Sequence, residues 1–196
     1  MTSVAAFVLV GGKSSRMGQD KSALQANGRT LLERAVQIAQ AASKDVRLLG
    51  NPAQKTRLTV VPDRFPGCGP LAGIDAALAA TEAELNFILS VDTPFVPLEF
   101  VRYLVDRACA GEALVTYPRL VSGYQPLCAV YRKQFGPIAE AALRDGQYKI
   151  DPLFSRVATC ILDDMELRKL GFGDEIFDNL NTLEDWERAQ NRLRSA

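Results

Sequence analysis

The stretch that decides the fold is VAAFVLV at Val4–Val10, which continues directly into GGKSSRMGQDK at residues 11–21. An unbroken apolar run is typical of a strand that is covered on both faces, as in a parallel sheet between two layers of helices. Glycines and basic residues after such a strand are typical of a phosphate-binding loop, because glycine lets backbone N–H groups come close to phosphate oxygens. These residues therefore predict an α/β protein with an anion site at the end of its first strand.

The rest of the chain alternates between strand-like and helix-like stretches. We predict strands at residues 45–50, 58–61, 86–91, 113–117, 125–131 and 159–162. We predict helices at residues 30–42, 97–110, 135–143 and 182–194, and one more that opens at Pro70. Such alternation predicts a three-layer α/β/α fold with a mostly parallel, Rossmann-like sheet. No repeat or linker divides the sequence, so we expect one domain over residues 1–196.

Ligands of such sheets bind outside the carboxyl ends of the strands. The loops after Val10, Val61 and Val91 should therefore lie along one edge of the sheet. Candidate site residues follow all three of these positions, so we expect a single composite site there.

The composition excludes several classes of function. The chain has 196 residues, of which 47% are hydrophobic, and a formal net charge of +0. A balanced charge argues against a protein that binds nucleic acid or anionic lipid over a broad face. The first apolar run is far shorter than the roughly 20 residues that a membrane span needs, and nothing resembles a targeting segment. We expect a cytoplasmic protein with no nucleic-acid or membrane partner.

Cysteine and histidine usage restricts the chemistry further. The cysteines show no C-x-x-C spacing, which predicts buried thiols in a reducing compartment rather than a zinc site or disulfides; they are Cys68, Cys109, Cys128 and Cys160. Histidine is absent, which excludes Ser-His-Asp and Cys-His catalysis. Any bound metal should therefore have mainly oxygen ligands.

The loop after Val10 contains the residues that we expect to bind phosphate. Gly11 and Gly12 allow the tight turn. Arg16 can form two parallel hydrogen bonds with phosphate oxygens, while Lys21 adds a more compact charge. The spacing fits neither the P-loop nor the dinucleotide G-x-G-x-x-G pattern. The alternative is an ordinary strand–helix loop whose basic residues are solvated.

Asp92 follows the predicted strand at residues 86–91 and lies at the same ligand-binding edge. A carboxylate there suits Mg²⁺ that bridges triphosphate oxygens. The alternative is that Asp92 stabilises the turn at Thr93-Pro94, since aspartate is common before such turns.

At this point the sequence resembles a known family. The pattern L-x-G-G-x-S-x-R-M-G-x-D-K at residues 9–21 resembles the signature loop of nucleotidyltransferases, and its Asp-Lys ending resembles the molybdenum cofactor guanylyltransferases in particular. Further matches follow in order: PD at 62–63, GPLAGI at 69–74, VDTPFVP at 91–97, QPLCAVY at 125–131 and FDNLNTLEDW at 177–186. The resemblance covers nearly the whole chain. Two departures are Val10, where the family commonly has alanine, and Leu183, where it commonly has proline.

The resemblance implies which residues contact the nucleotide. The backbone of Leu9, Val10 and Gly11 should approach the base and ribose, and Gly73 should let a helix start come close to the nucleotide. Asp63 can accept hydrogen bonds from N1–H and the exocyclic amine of guanine, a donor pair that adenine lacks. The alternative for Asp63 is a turn residue.

Asn179 and Asn181 are two residues apart, so in an extended segment they point the same way. The resemblance implies that both amides bind the pterin-phosphate acceptor. Helix capping by Asn181 or Thr182 is the alternative. Whether Asn51 contacts the nucleotide stays open.

The resemblance implies transfer of GMP from GTP to the terminal phosphate of molybdopterin or Mo-molybdopterin, with release of pyrophosphate. Mg²⁺ is the implied cofactor, and Arg16, Lys21 and Asp92 are the implied catalytic residues. Molybdenum-insertion proteins and apo-molybdoenzymes are the implied further partners. The alternatives are a cytidylyltransferase or sugar-1-phosphate nucleotidyltransferase that shares the loop, and a GTP-binding module in molybdoenzyme assembly that does not turn over.

Overall fold

The structure, a computed structural model, describes residues 2–10, 21–52 and 56–195, with the side chains of residues 21, 183, 194 and 195 outside that description. In chain order the strands are β1 (Val4–Val10), β2 (Gln25–Ala26), β3 (Arg29–Thr30), β4 (Val46–Gly50), β5 (Val60–Val61), β6 (Leu85–Ser90), β7 (Val115–Leu120), β8 (Gly123–Tyr124), β9 (Cys128–Arg132) and β10 (Thr159–Asp163). The α-helices are α1 (Leu31–Ala39), α2 (Pro70–Ala79), α3 (Leu98–Ala110), α4 (Gly136–Arg144), α5 (Asp151–Phe154), α6 (Asp164–Lys169) and α7 (Leu183–Ser195).

The large sheet has β1 in its interior. Its strand order is β10-β7-β9-β6-β1-β4-β5, with β8 paired to β7. The strands β5, β4, β1 and β6 pair in parallel, whereas β9 is antiparallel to both β6 and β7. β7 and β10 pair in parallel and run in the same direction as β1. A mixed but mostly parallel sheet between helices confirms the predicted fold class.

Helices cover both faces of this sheet, and β1 shows the consequence for the sequence. Ala6 and Val8 pack in a core with α1, α3 and α7, whereas Phe7 and Leu9 pack on the opposite face with α2 and α4. Successive side chains of a strand point to opposite faces, so a strand between two helical layers needs apolar residues throughout. The apolar run of β1 is therefore explained by burial on both sides.

Local signals determine where the helices next to the ligand edge begin. The Thr30 hydroxyl accepts a hydrogen bond from the Glu33 N–H at 3.1 Å, and the Glu33 carboxylate accepts one from the Thr30 N–H at 2.7 Å. This capping box starts α1. α2 begins at Pro70 directly after Gly69, whose φ is +75°. Proline suits that position because the first turn of a helix leaves its N–H groups without helical partners.

No helix in the described ranges combines the length and apolar character that a membrane crossing requires.

Candidate active site

The parallel strands bring the predicted loops to one edge of the sheet. β1, β5 and β6 run in the same direction, so the chain leaves all three at the same edge. The strand ends at Val10 and Val61 and the turn at Val91 therefore lie at one edge, as expected. Gly11, Gly12 and Arg16 lie outside the described residues. Lys21 begins a short 3₁₀ helix, Lys21–Ala23, which leads into the β2–β3 hairpin.

Asp92 lies in a tight turn that is tied to the end of β6. The Ser90 hydroxyl donates a hydrogen bond to Asp92 Oδ1 at 2.5 Å. The Thr93 hydroxyl donates to the Ser90 carbonyl at 2.8 Å, and the Val91 N–H donates to the Leu9 carbonyl at 3.1 Å. No sequence motif points to Ser90, whose hydroxyl holds the Asp92 carboxylate in this turn.

The segment with the two candidate acceptor-binding asparagines is attached to this same turn. The Leu180 N–H donates to the Asp92 carbonyl at 3.0 Å. The Leu180 side chain is buried, at 2% exposure, while Asn179 and Asn181 on either side of it are exposed. A buried residue between two exposed ones is the alternation of an extended segment. The backbone that carries both asparagines is thereby fixed beside the turn of Asp92.

Capping of α7 is performed by Thr182 together with Asp185. The Thr182 hydroxyl accepts from the Asp185 N–H at 3.1 Å, and Asp185 Oδ2 accepts from the N–H groups of Asn181 and Thr182 at 3.0 and 2.9 Å. The hydrogen bond with Thr182, followed by that from Arg188, lowers the pKa of Asp185 to about 2. Of the two capping residues considered from the sequence, Thr182 is thus the one whose side chain accepts the bond.

Asp63 follows β5 and carries an unusual carboxylate. Its Oδ1 is buried and has no hydrogen-bond partner among the described residues. Burial raises the pKa of this carboxyl group above its ordinary value. A buried acceptor without a donor is costly in a folded protein, and such atoms are often satisfied by a bound molecule or water. Asp63 Oδ1 is therefore an acceptor that a bound molecule or water would satisfy.

The residue after Asp63 anchors its loop to α2. Arg64 Nη1 lies 3.3 Å from Asp75 Oδ1 and Arg64 Nη2 lies 3.2 Å from Glu140 Oε2. Asp75 is 1% exposed, so its carboxylate depends on Arg64 for charge compensation. Even so, burial is the largest influence on Asp75 and raises the pKa of its carboxyl group. No local sequence pattern joins Arg64 to Asp75, so this ion pair could not be predicted from the sequence.

Two glycines allow close approaches to β1, one from the neighbouring strand and one from α2. Gly50 at the end of β4 has φ +91°, and a Cβ there would overlap the carbonyl oxygen of Val10. Gly73 in α2 faces β1, where a Cβ would lie 2.6 Å from Leu9 Cδ1. The absence of a side chain at Gly73 therefore lets α2 pack closely against Leu9. The contact of Gly73 with the nucleotide stays a prediction. Asn51, which follows Gly50, is exposed.

The described residues hold no group of three or more acidic, cysteine or histidine side chains placed to enclose a metal ion. The Asp92 carboxylate, which accepts a hydrogen bond from the Ser90 hydroxyl, lies at the ligand edge. Mg²⁺ is commonly bound through one or two carboxylates plus phosphate oxygens of the substrate rather than by a complete protein cage. The donor set at Asp92 is thus of the type used for a nucleotide-bound cation.

Comparison with known proteins identifies the family of the chain. The family model of the MobA-like NTP transferase domain matches residues 6–158. A protein of Carboxydothermus hydrogenoformans named "Probable molybdenum cofactor guanylyltransferase" is 32% identical over 190 residues, covering 96% of this chain and 95% of that protein. A protein of the same name from Pelotomaculum thermopropionicum is 30% identical over 193 residues, covering 97% of this chain and 93% of that protein.

A solved structure shares the fold over the full chain. Molybdopterin-guanine dinucleotide biosynthesis protein A from Archaeoglobus fulgidus superposes with a TM-score of 0.84 at 24% identity, covering 98% of this chain and 100% of that one. The match of the family model over most of the chain, together with these relatives, assigns the family. The chain belongs to the MobA-like NTP transferase family and is a nucleotidyltransferase.

Proposed function

We propose that the chain transfers GMP from GTP to the terminal phosphate of molybdopterin or Mo-molybdopterin, giving a guanine dinucleotide cofactor and pyrophosphate. The relatives named molybdenum cofactor guanylyltransferase support both substrates. The proposal goes beyond the family assignment because it names the base, the acceptor and the residues that bind them.

The observation that carries the proposal is the arrangement of Asp63, Asp92 and the asparagine segment along one sheet edge. Asp63 follows β5 and Asp92 follows β6, with β4 and β1 between these two strands. Adjacent strands are about 4.8 Å apart, so the two aspartates are separated by roughly 14 Å along the edge. A nucleotide can bridge that distance with its base at Asp63 and its phosphates near Asp92. The asparagines then lie on the far side of the phosphates, where an acceptor must approach.

Asp63 is the residue we assign to guanine recognition. Its buried, unpartnered Oδ1 can accept a hydrogen bond from the Watson–Crick edge of guanine. The two carboxylate oxygens match the adjacent N1–H and amine donors of that base. Adenine and cytosine do not present this pair of donors. When either base binds, the buried acceptor of Asp63 stays without a donor, and the carboxylate therefore selects guanine.

Transfer at this site does not need a general base. A phosphate monoester has a second pKa of about 6, so the acceptor is already an anion near neutral pH. The chain has to neutralise two anions and hold them in line at the α-phosphorus. We assign neutralisation to Arg16 and Lys21, nucleotide positioning to the backbone of residues 9–12, and acceptor positioning to Asn179 and Asn181. Gly73 supports the nucleotide from the start of α2.

Asp92 is the residue we assign to hold Mg²⁺, with the Ser90 hydroxyl orienting the carboxylate. When bound, the cation supplies charge neutralisation at the triphosphate. Molybdenum-insertion proteins and apo-molybdoenzymes are the partners that would deliver the acceptor and take the product.

A pyrophosphate-release assay with purified molybdopterin and each of GTP, CTP, ATP and UTP tests the proposal. We expect release with GTP, and loss of release in Lys21→Ala and Asp92→Ala at nearly unchanged melting temperature. Preference for CTP would assign a cytidylyltransferase instead. Binding of GTP without release of pyrophosphate would indicate a binding module. Turnover with a sugar 1-phosphate would indicate a sugar nucleotidyltransferase. Each of these results contradicts the proposal.

A further inference from the structure

A cavity lies next to the turn that follows Asp92. It has a volume of about 500 Å³ and opens between the β2–β3 hairpin, Pro94-Phe95 and the end of α7. We call it the arginine cavity; its described lining includes Asn27, Arg29, Arg34, Phe95 and Arg192. Three of the described lining residues are arginines and none is acidic. A cleft lined by one sign of charge concentrates ions of the opposite sign.

Arg34 has an unused donor in the interior of the protein. Its Nη2 donates to the Ala26 carbonyl at 2.7 Å, which fixes the side chain against the hairpin. Its Nε is buried and has no hydrogen-bond partner among the described residues. Burial and then the neighbouring Arg29 lower the pKa of the Arg34 guanidinium. An acceptor that reached this guanidinium would satisfy the donor and offset the repulsion between the two arginines.

Arg29 is held at the cavity by an uncharged partner. Its Nη1 donates to the side-chain oxygen of Gln37 at 2.7 Å, and the side chain remains exposed. The nearby Glu33 carboxylate already accepts hydrogen bonds from the Thr30 N–H and hydroxyl. The described contacts give Arg29 no close ion pair, so its positive charge is exposed to solvent at the cavity.

Arg192 completes the wall from α7. Its guanidinium lies 4.0 Å from the centroid of the Phe95 ring, and its Nη1 lies 3.0 Å from the Glu175 carbonyl and 3.3 Å from Asp178 Oδ2. Arg192 and Phe95 also line a smaller cavity of about 190 Å³ that contains Asn179. The arginine cavity thus adjoins the acceptor side of the active site while sharing none of the residues assigned to the nucleotide.

We propose that the arginine cavity binds the phosphate group of a small molecule. Guanidinium groups bind phosphate through paired, charge-assisted hydrogen bonds, and Arg29 and Arg34 provide two such groups on one wall. The Phe95 ring offers an apolar face for the rest of the ligand. A phosphate monoester and inorganic pyrophosphate present the same chemistry, and the site would accept either. The inference does not depend on which nucleotide or acceptor the active site uses.

Side-chain NMR of the arginines tests the proposal at the cavity itself. The Nε–H resonances of the full-length protein are assigned by through-bond correlation and followed during titration with sodium phosphate, then glycerol 2-phosphate and pyrophosphate, at constant ionic strength. We expect saturable shifts at Arg34 and Arg29. Arg102, an exposed arginine of α3 with its side chain 59% accessible, serves as the internal control and should not shift. Tighter binding of the monoester or of pyrophosphate identifies the source of the phosphate group.

Two variants in the cavity, with one control variant outside it, test whether the shifts report phosphate binding at this cavity. Arg29→Gln should weaken phosphate binding at Arg34 by about tenfold or more, as expected for loss of a charged hydrogen bond. Arg34→Lys keeps the charge but removes the buried Nε donor, and should also weaken binding, read at Arg29. Arg102→Gln should bind as the wild type does, and unchanged backbone spectra establish the fold of each variant. Absence of a saturable shift, equal shifts at Arg34 and Arg102, or wild-type affinity in Arg29→Gln would overturn the proposal.

Discussion

The Leu180 N–H donates to the Asp92 carbonyl oxygen at 3.0 Å, and this bond connects the segment before α7 to the turn after β6. The two segments are far apart in the chain, yet the residues assigned to the acceptor and to the cation belong to them. The bond therefore fixes the acceptor segment relative to the position where the phosphates are expected. The effect of this bond on acceptor binding can be measured separately from its effect on the stability of the whole fold.

Leu180→Ala should raise the KM for molybdopterin much more than the Kd for GTP. The side chain is 2% exposed, so its truncation should lower the free energy of unfolding by about 2–5 kcal/mol and loosen the flanking asparagines. Steady-state kinetics and GTP titration measure the two effects. Leu167→Ala, in a leucine of α6 that is 1% exposed, is the matched control. An equal rise in acceptor KM in both variants would mean that Leu180 acts through stability alone.

Asp63→Asn should lose selectivity for guanine. Replacing one carboxylate oxygen by an amide donor removes an acceptor from the guanine edge, so the Kd for GTP should rise by about 10–100-fold while that for ATP changes little. Calorimetric titration of the two nucleotides measures this difference. Asp106→Asn, on the exposed side of α3, is the control and should bind GTP as the wild type does. Unchanged GTP affinity in Asp63→Asn would remove Asp63 from base recognition.

The same substitution should stabilise the protein at neutral pH. Burial raises the pKa of Asp63 above its ordinary 3.8, so the folded state binds this proton more readily than the unfolded state. The stabilising contribution of this group is therefore present when the pH is below its ordinary pKa. It is lost as the pH rises through the raised pKa of the folded state. The melting temperature of Asp63→Asn should exceed that of the wild type at pH 7.5, by a margin that shrinks as the pH falls toward 3.8. A variant less stable than wild type at pH 7.5 would contradict the assignment of an unpartnered carboxylate.

Gly50→Ala should destabilise the ligand edge more than an equivalent substitution elsewhere. Gly50 has φ +91°, and its Cβ would also overlap the Val10 carbonyl. We expect a loss of about 2–5 kcal/mol from left-handed strain and overlap together. Gly146→Ala is the control, because it has φ +73° and open space around the Cβ, and should lose only about 1–2 kcal/mol. Urea unfolding compares the two; equal losses would show that contact with Val10 is unimportant.

The longer elements could be predicted from the sequence because burial imposes a pattern on them. β1 is covered on both faces and has the bounds predicted from its apolar run, Val4–Val10. The predicted helix at residues 30–42 starts one residue later and ends at Ala39, since the capping box determines its start whereas no strong signal marks its end. β7 begins at Val115 and continues through Pro118 to Leu120, whereas the predicted strand covered residues 113–117.

The short elements have too few residues to show a hydrophobic periodicity. β2 and β3 have two residues each and pair across Asn27-Gly28, where φ is 54° and 73°. Asn-Gly is a strong signal for a two-residue hairpin turn, so this element could have been found from its turn. α5 and α6 are short and lie in the least regular third of the chain.

Candidate site residues could be selected from the sequence where one residue type implies a chemistry, and their roles stay predictions. Asp92 and Asp63 stood out because each follows a predicted strand at the ligand edge. Ser90, Leu180 and Arg64 were missed because their roles depend on contacts with residues distant in sequence or on backbone groups, which no local motif encodes.

A crystal soaked with GTP and Mg²⁺ tests the central claim most directly. The account predicts that the guanine edge contacts Asp63, that the cation binds Asp92 and bridges the phosphates, and that the α-phosphorus faces Asn179 and Asn181. A nucleotide bound elsewhere, or a cation bound to the phosphates away from Asp92, would contradict it.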